Sequence, residues 1–338
     1  MIFNHVAIES LAIVEAPHRV TSAEIEARVG TQGERIGLRP GIIKMLTGVV
    51  ARRWWDPGVM PSEVATMAGQ AALEQAGILP EQVGLIVNTS VCRDYLEPSV
   101  ASIVHGRLGL PPSCLNFDIS NACLAFLNGM TIAANMIERG QVDYALIVDG
   151  EGSREITEST IARLASSHST EQDLRDDFAT LTLGSGAAAM LLCRDDLASS
   201  TRRFRGGVSL AATEWNHLCR GTAERMVTDA SQLLKSGVSL AKRTFHLAMD
   251  RLGWRREELD ELILHQVGSI HMSTLLGELE LEPSRAHVTY SEYGNIGPAA
   301  IPFTLQKSFE AGRIFPGDRI ALMGIGSGLN CAMMEVTW

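Results

Sequence analysis

The chain has 338 residues, of which 46% are hydrophobic and 20% are charged, so it can bury a substantial core and is not expected to be disordered. Asp and Glu number 39 against 29 Lys and Arg, which gives a formal net charge of -10. Such an acidic chain argues against nucleic acid as its main partner, although a local basic patch would suffice for a small anionic ligand.

Cysteine usage and the distribution of apolar residues predict the compartment. The six cysteines contain no C-x-x-C pair, which predicts neither a zinc site nor a disulfide framework. The opening residues MIFNHVAIES lack the basic region of a signal peptide, and no uncharged apolar run is long enough to span a membrane. We therefore expect a protein of the reducing cytoplasm, where free thiols persist.

Apolar runs that alternate with helical patterns predict α/β layers. Thr21 and Glu24 form a capping-box pattern that opens a helix through Val29. A second helix is predicted to start at Ser62 and to end at Gly77. Its apolar stripe would consist of Val64, Met67, Ala68, Ala71 and Ala72.

The segment TGVVARRWW combines cations with aromatic rings. Arg52, Arg53 and Trp54 are suited to clamp the phosphates and the adenine ring of a nucleotide. A surface turn explains the same pattern.

Three segments of the first half recur in the same order in the second half. Residues 83–91 resemble 261–268, residues 115–126 resemble 287–299, and residues 138–150 resemble 310–324. A shared order at a nearly constant offset predicts a duplicated half. The halves would be residues 1–200 and 201–338, and the polar segment 151–178 is interpreted as an insertion, either a lid or a solvated surface excursion.

Three polar residues lie where predicted strands end. Cys123 follows the run LNFDIS and opens a helix, and the unpaired N–H groups of a helix start would favour its thiolate and lower its pKa. His265 follows the run ELIL. Asn295 lies in the turn YGNIGP and is the counterpart of Cys123 in the repeat. Duplicated α/β halves place such strand ends together, so a Cys–His–Asn set is possible, although each residue alone also suits a structural role.

Two further positions invite a functional interpretation. The turn GIGSGLN after the run RIALM has no following helix, so it is not a dinucleotide-binding loop. It is interpreted as a tight turn that presents backbone N–H groups, with Ser327 at its centre. Glu97 precedes Pro98 in a pattern typical of a helix start, where a glutamate is usually a favourable charge for the helix dipole.

Together, TGVVARRWW, the cysteine of SNACLAF, HQV, GNIGPA and GIGSGLN resemble the ketoacyl synthase III family of condensing enzymes. NTSVCRDYLEPS, ATEWNHLCRG and ERMVTDA are similar to the branch of OleA-type condensing enzymes of bacterial long-chain olefin biosynthesis. The resemblance implies a thiolase fold with two pseudo-equivalent halves in five αβαβα layers. It also implies a non-decarboxylative, head-to-head Claisen condensation of two long-chain acyl-CoAs to a 2-alkyl-3-keto acid.

The same resemblance implies a role for each site residue. Cys123 would be the nucleophile, and His265 with Asn295 would polarise the second thioester. The N–H groups of Cys123 and Ser327 would form an oxyanion hole. Glu97 would remove the α-proton, reaching into the partner subunit of a homodimer.

No cofactor besides the coenzyme A thioester substrates is implied, and enzymes of the olefin pathway are possible partners. Two other reactions stay open at this point. A malonyl-dependent 3-oxoacyl synthase III would generate its carbanion by losing carbon dioxide and would not need Glu97 as a base. An acyl-CoA hydrolase would transfer the acyl group from cysteine to water without forming a carbon–carbon bond.

Overall fold

The computed structural model describes residues 1–222 and 224–338. The strands are β1 (Val6–Glu15), β2 (His18–Thr21), β3 (Ala51–Trp54), β4 (Val83–Asn88), β5 (Leu115–Asp118), β6 (Tyr144–Glu151), β7 (Gly186–Arg194), β8 (Arg203–Ala211), β9 (Cys219–Gly221), β10 (Met226–Thr228), β11 (Glu261–Leu264), β12 (Arg319–Gly326) and β13 (Asn330–Thr337). The helices are α1 (Ser22–Val29), α2 (Thr31–Arg35), α3 (Ile42–Thr47), α4 (Pro61–Ala76), α5 (Val100–Arg107), α6 (Ala125–Glu138), α7 (Arg154–Leu164), α8 (Glu171–Asp177), α9 (Ala230–Leu252), α10 (Ser269–Leu279), α11 (Tyr290–Tyr293) and α12 (Ala300–Glu310).

The central sheet repeats one strand order on either side of its middle. Its order is β11-β12-β13-β8-β1-β7-β6-β4-β5, with β4, β5 and β6 parallel in one half and β11 and β12 parallel in the other. Counted from the middle of the sheet outward, the first half has the order β1-β7-β6-β4-β5 and the second half has the order β8-β13-β12-β11. The place equivalent to β5 is taken in the second half by an isolated parallel bridge between Leu262 and Ala286. The predicted duplication is confirmed in this strand order. The division near residue 200 stays a prediction, and the chain passes from β7 to β8 through residues 195–202.

Helices cover the sheet and fill its centre. Helices α6 and α12 pack between the two halves in the largest apolar cluster, where Phe126, Leu127 and Phe303 are fully buried. Helices α4 and α5 cover one outer face, and α9 and α10 cover the other. This arrangement is the predicted five-layer αβαβα architecture. Burial of both sheet faces explains the apolar runs Ala145–Val148 of β6 and Ala187–Cys193 of β7.

The polar segment 151–178 has an apolar side. It forms α7 and α8, and its Ile161 and Leu164 are buried against Ile25 and Val29 of α1. The segment is therefore not a fully solvated excursion, because its apolar side packs in a small cluster shared with residues 25–54. Its role as a lid stays a prediction.

Local capping signals are partly confirmed. The Thr21–Glu24 capping box is present and α1 ends at Val29. Helix α4 ends at Gly77, whose φ of 66° suits glycine. Ser62 is not its cap, because α4 begins at Pro61 and the backbone and hydroxyl of Ser62 both donate to the Asp94 carboxylate.

The predicted apolar stripe of α4 is wrong at one position. Met67 is 52% exposed, whereas Ala65 and Leu73 face the core. Across the described residues, no helix has the length and apolar character required to cross a bilayer.

Candidate active site

Cys123 lies in a tight turn between β5 and α6. The 3-10 turn Ala122–Leu124 precedes α6, and Ala122 has a φ of +46°, which is uncommon for a residue with a side chain. Burial raises the pKa of the Cys123 thiol to about 12, and Cys219 and Glu151 contribute in the same direction. The predicted lowering of this pKa is wrong, because loss of hydration outweighs the helix start. The thiol is therefore protonated at neutral pH and needs a proton acceptor when it attacks.

The Ser327 turn packs against the residues around Cys123. A β-carbon at Gly326 would lie 3.3 Å from the backbone nitrogen of Leu124, so a glycine permits this close approach. The Asn330 side chain donates to Asn121 Oδ1 at 3.1 Å. These contacts hold the turn that carries Ser327 next to the turn that carries Cys123.

His265 is the first residue after β11, as predicted. Its backbone N–H donates to the Met323 carbonyl of β12 at 2.9 Å, which places His265 beside the strand that leads to Ser327. Burial, with a smaller contribution from His271, lowers the pKa of the imidazole to about 4. Its Nδ1 is buried without a hydrogen-bond partner among the described residues. The imidazole is thus neutral at pH 7 and can accept a proton or donate one N–H.

Asn295 is held on three sides by backbone hydrogen bonds. Its N–H donates to Thr182 and its carbonyl accepts from Gly184, both at 2.9 Å. Its side-chain Oδ1 accepts from the Gly297 N–H at 3.0 Å. Because the amide oxygen is engaged, the amide NH₂ group remains as a donor. The 3-10 turn Gly297–Ala299 that follows packs against the Cys123 turn.

Glu97 lies on the loop of residues 89–99, which we call the arm. The arm is fixed at Asp94, which binds Ser62, and at Ser99, which caps α5. Between these points its tip is exposed, and Leu96 is 93% accessible. Within the described residues, Glu97 makes no hydrogen bond and no ion pair. Among the described residues, no hydrogen bond or ion pair therefore joins Glu97 to Cys123, His265 or Asn295 of the same chain.

The predicted nucleotide clamp is wrong for two of its three members. Arg52 is fully buried and donates to the Leu181 carbonyl at 2.6 Å, and burial lowers its pKa to about 10. Trp54 is also buried, with the guanidinium groups of Arg28 and Arg154 over its ring at 5.7 and 5.6 Å. Both residues stabilise the fold. Arg53 is partly exposed, and a role for it in binding coenzyme A stays a prediction.

Two buried carboxyl groups near the nucleophile were missed by sequence reasoning. Asp149 and Glu151 end β6 and are almost completely buried. Burial raises the pKa of Asp149 well above its usual range and that of Glu151 to about 7. The sequence signal was two acidic residues at the end of an otherwise apolar strand. Cys219, also missed, lies in the β9–β10 hairpin and contributes to the raised pKa of Cys123.

No cluster of three or more His, Cys, Asp or Glu side chains with metal-binding geometry is present in residues 1–222 and 224–338.

Comparisons with known proteins identify the family. Residues 56–183 match the thiolase N-terminal domain, and residues 249–338 match the C-terminal domain of 3-oxoacyl-[acyl-carrier-protein] synthase III. The chain is 49% identical to the acyl-CoA:acyl-CoA alkyltransferase of Xanthomonas campestris over 338 residues, covering 100% of both chains. It is 36% identical to the enzyme of the same name from Shewanella oneidensis, again over 100% of both chains.

Solved structures agree with this match. A cysteine-to-serine variant of Xanthomonas campestris OleA with bound lauric acid and lauroyl-CoA has a TM-score of 0.97, over 99% of this chain and 100% of that chain, at 49% identity. Cerulenin-bound OleA from the same organism has a TM-score of 0.98, over 100% of this chain and 98% of that chain. The chain therefore belongs to the acyl-CoA:acyl-CoA alkyltransferase (OleA) family and is an acyltransferase with the thiolase fold.

Proposed function

We propose that this enzyme joins two long-chain acyl-CoAs head to head without loss of carbon dioxide, and that the product leaves as a 2-alkyl-3-keto acid. The observation that carries the proposal is the packing of the Cys123, Ser327 and Asn295 turns around the end of β12, beside His265. Relatives that match along their whole length are named for this reaction.

The first step would transfer an acyl group to Cys123. The sulfur attacks the thioester carbonyl, the bond to the coenzyme A sulfur breaks, and the thiol proton passes to the departing sulfur by way of the neutral His265 imidazole. The N–H groups of Cys123 and Ser327 would bind the oxyanion, and each such donor is worth about 3 kcal/mol of the activation barrier.

The second step would form the carbon–carbon bond. Glu97 removes an α-proton from the second acyl-CoA, and the enolate oxygen accepts hydrogen bonds from the Asn295 amide and from His265. The α-carbon attacks the acyl carbonyl, the bond to Cys123 breaks, and the proton taken by Glu97 returns to the Cys123 sulfur. Water then cleaves the remaining thioester: its oxygen joins the acyl carbon and a proton passes to the departing coenzyme A sulfur, which releases the keto acid and coenzyme A. A simple acyl chain has no carboxylate to lose, so a base is required here.

We also propose that the enzyme works as a homodimer in which the arm of one subunit completes the site of the other. The support is the exposed tip, where Leu96 stands beside Glu97 and Tyr95 is 55% exposed. Exposed apolar side chains on an anchored loop are typical of a surface that is covered in an assembly. All six cysteines are free, which suits the cytoplasm, and olefin-pathway enzymes would use the keto acid.

The test uses purified enzyme with one long-chain acyl-CoA and no malonyl donor, beside Glu97→Ala. Mass spectrometry follows coenzyme A, the acyl-enzyme and the lipid product. A keto acid, or the ketone formed from it, that is lost in Glu97→Ala supports the proposal. Release of the original fatty acid alone would indicate a hydrolase, and coupling only after addition of malonyl thioester would indicate a ketoacyl synthase III.

A further inference from the structure

We infer that Glu151 is a positioning residue, which holds the arm in the orientation that delivers Glu97. The inference rests on the proposed role of Glu97 as the base. Glu151 is not itself placed to act on substrate, because the residue is only 5% exposed and its carboxyl group accepts the Val91 N–H and lies next to Gly297.

The base of the arm is fastened to the end of β6 residue by residue. Four consecutive arm residues each share a hydrogen bond with one of four consecutive residues at that strand end. The bonds are Thr89 Oγ1 to Asp149 Oδ2 at 2.6 Å, Gly150 N–H to Ser90 Oγ at 2.8 Å, Val91 N–H to Glu151 Oε1 at 2.6 Å, and Cys92 Sγ to the Gly152 carbonyl at 3.2 Å.

Glu151 differs from the other members of this ladder because its carboxyl group also lies next to the Asn295 turn. Its carboxyl carbon lies 3.4 Å from the position that a β-carbon would take at Gly297, whose N–H holds the Asn295 side chain. One carboxyl group therefore lies between the loop that carries the proposed base and the loop that carries the proposed enolate donor.

Glu151 accepts this hydrogen bond from the backbone N–H of Val91, so the bond does not depend on which side chain stands at position 91. Removal of the carboxyl group would leave the Val91 N–H unpaired and open a space beside Gly297. Asp94 and Ser99 would still hold the arm to α4 and α5, but its root would lose the group that lies between it and the Asn295 turn. Glu97 and the Asn295 amide would then shift relative to each other, and a displacement of about 1 Å at the reacting group is enough to slow a reaction about a hundredfold. Cys123 acylation does not use Glu97, so the two half-reactions should respond differently.

The experiment compares Glu151→Ala and Glu151→Gln with the wild type in a rapid-quench reaction with a long-chain acyl-CoA. Intact-mass spectrometry measures acylation of Cys123, and lipid mass spectrometry measures the keto acid. Glu151→Ala should acylate at no less than about a third of the wild-type rate, because loss of a carboxyl group that raises the pKa of the Cys123 thiol does not disfavour its thiolate, and it should condense about a hundredfold more slowly. Glu151→Gln keeps an acceptor oxygen for Val91 and should restore condensation to within about threefold.

Glu9→Ala is the matched control. Glu9 is also buried, at 6% exposure, and accepts the Ser199 N–H at 3.0 Å, but it holds the β7–β8 connection instead of the arm. Glu9→Ala should lower the rates of acylation and condensation by the same factor, or leave both rates unchanged.

Three results would overturn the inference: condensation by Glu151→Ala at the wild-type rate, equal loss of both half-reactions, or a Glu151→Gln enzyme as slow as Glu151→Ala. The same split in Glu9→Ala would also overturn it. A wild-type enzyme that acylates Cys123 but forms no keto acid would instead refute the proposed function, and the inference with it.

Discussion

The ends of β6 and β12 occupy equivalent places in the two halves of the sheet, but they are built differently. Aligned end to end, Asp149 and Glu151 of β6 correspond to Gly324 and Gly326 of β12. The carboxyl groups of β6 fasten the arm, whereas the glycines of β12 leave room for the Cys123 turn to approach. Equivalent strand ends of the duplicated fold therefore hold different loops: acidic residues at the end of β6 bind the arm, and glycines at the end of β12 let the Cys123 turn pack closely.

The loops after β4 and β11 differ in the same way. In the first half, the arm extends outward and exposes its tip. In the second half, the chain passes from His265 to α10 within residues 265–268, and the His265 ring nitrogen Nδ1 is buried. The outward loop is suited to reach another subunit, and the short loop is suited to hold a neutral histidine in place.

Substitution of Cys123, in the turn before α6, is expected to have the strongest effect on activity. Cys123→Ala should abolish both acylation and condensation, because no other group can form the thioester intermediate. The absence of an acyl adduct in the intact mass, in a variant whose melting temperature is within about 2 °C of the wild type, would confirm this. An adduct of normal yield would mean that another cysteine carries the acyl group.

Substitution of Asn295, in the equivalent turn of the second half, should affect only the condensation step. Asn295→Ala should leave acylation of Cys123 within about threefold and slow condensation about a hundredfold, because it removes a donor to the enolate. Rapid-quench measurement of the two products checks this split. Equal loss of both steps would contradict the assignment and would indicate that Asn295 serves the nucleophile as well.

The outward loop should govern assembly. Leu96→Asp would place a charge in the proposed dimer interface and should weaken association by about 10- to 100-fold, since burying a leucine is worth about 1.5–3 kcal/mol. Sedimentation equilibrium measures the effect. The matched control is Leu79→Asp, which changes an exposed leucine in the connection between α4 and β4 and should leave association unchanged. A wild-type protein that is monomeric would refute the proposed dimer.

The glycines of β12 can be tested directly. A β-carbon at Gly324 would lie 2.4 Å from Leu124 Cδ2, so Gly324→Ala should push Leu124 against the Cys123 turn and cost about 1–3 kcal/mol of the free energy of unfolding. Gly277→Ala in α10 meets open space and should be neutral or stabilising by up to about 1 kcal/mol. Denaturant unfolding compares the two variants, and equal stability would show that β12 does not need its glycine.

The last prediction concerns pH. The pKa of His265 is lowered to about 4 in the folded protein, so between that value and the usual pKa of about 6.5 the unfolded chain binds more protons. The contribution of His265 to stability is therefore fully present above about pH 6.5 and is lost as the pH falls toward 4. His265→Gln should flatten the dependence of the melting temperature on pH in this window. An unchanged slope would mean that other groups cause it.

Features that depend on short stretches of chain, or on the repetition of such stretches, could be predicted from the amino-acid sequence. The capping box at Thr21, the end of α4 at Gly77 and the two echoes that became the equivalent strand pairs β4 with β11 and β6 with β12 were readable from local pattern. The strand ends that carry Cys123 and His265 were readable for the same reason, since strand ends in a duplicated sheet meet at its centre.

Only the tertiary structure decided which polar side chains are buried and what they touch. Arg52 and Trp54 have the residue types of a nucleotide clamp, but long-range packing buries both. Ser62 is a residue type that often caps helices, but the carboxylate of Asp94, which lies on the arm, accepts the Ser62 N–H in the first turn of α4 instead. The raised pKa of Cys123 and the contacts of Glu151 depend on burial and on neighbours from several segments, and no local pattern records the neighbours that folding brings together.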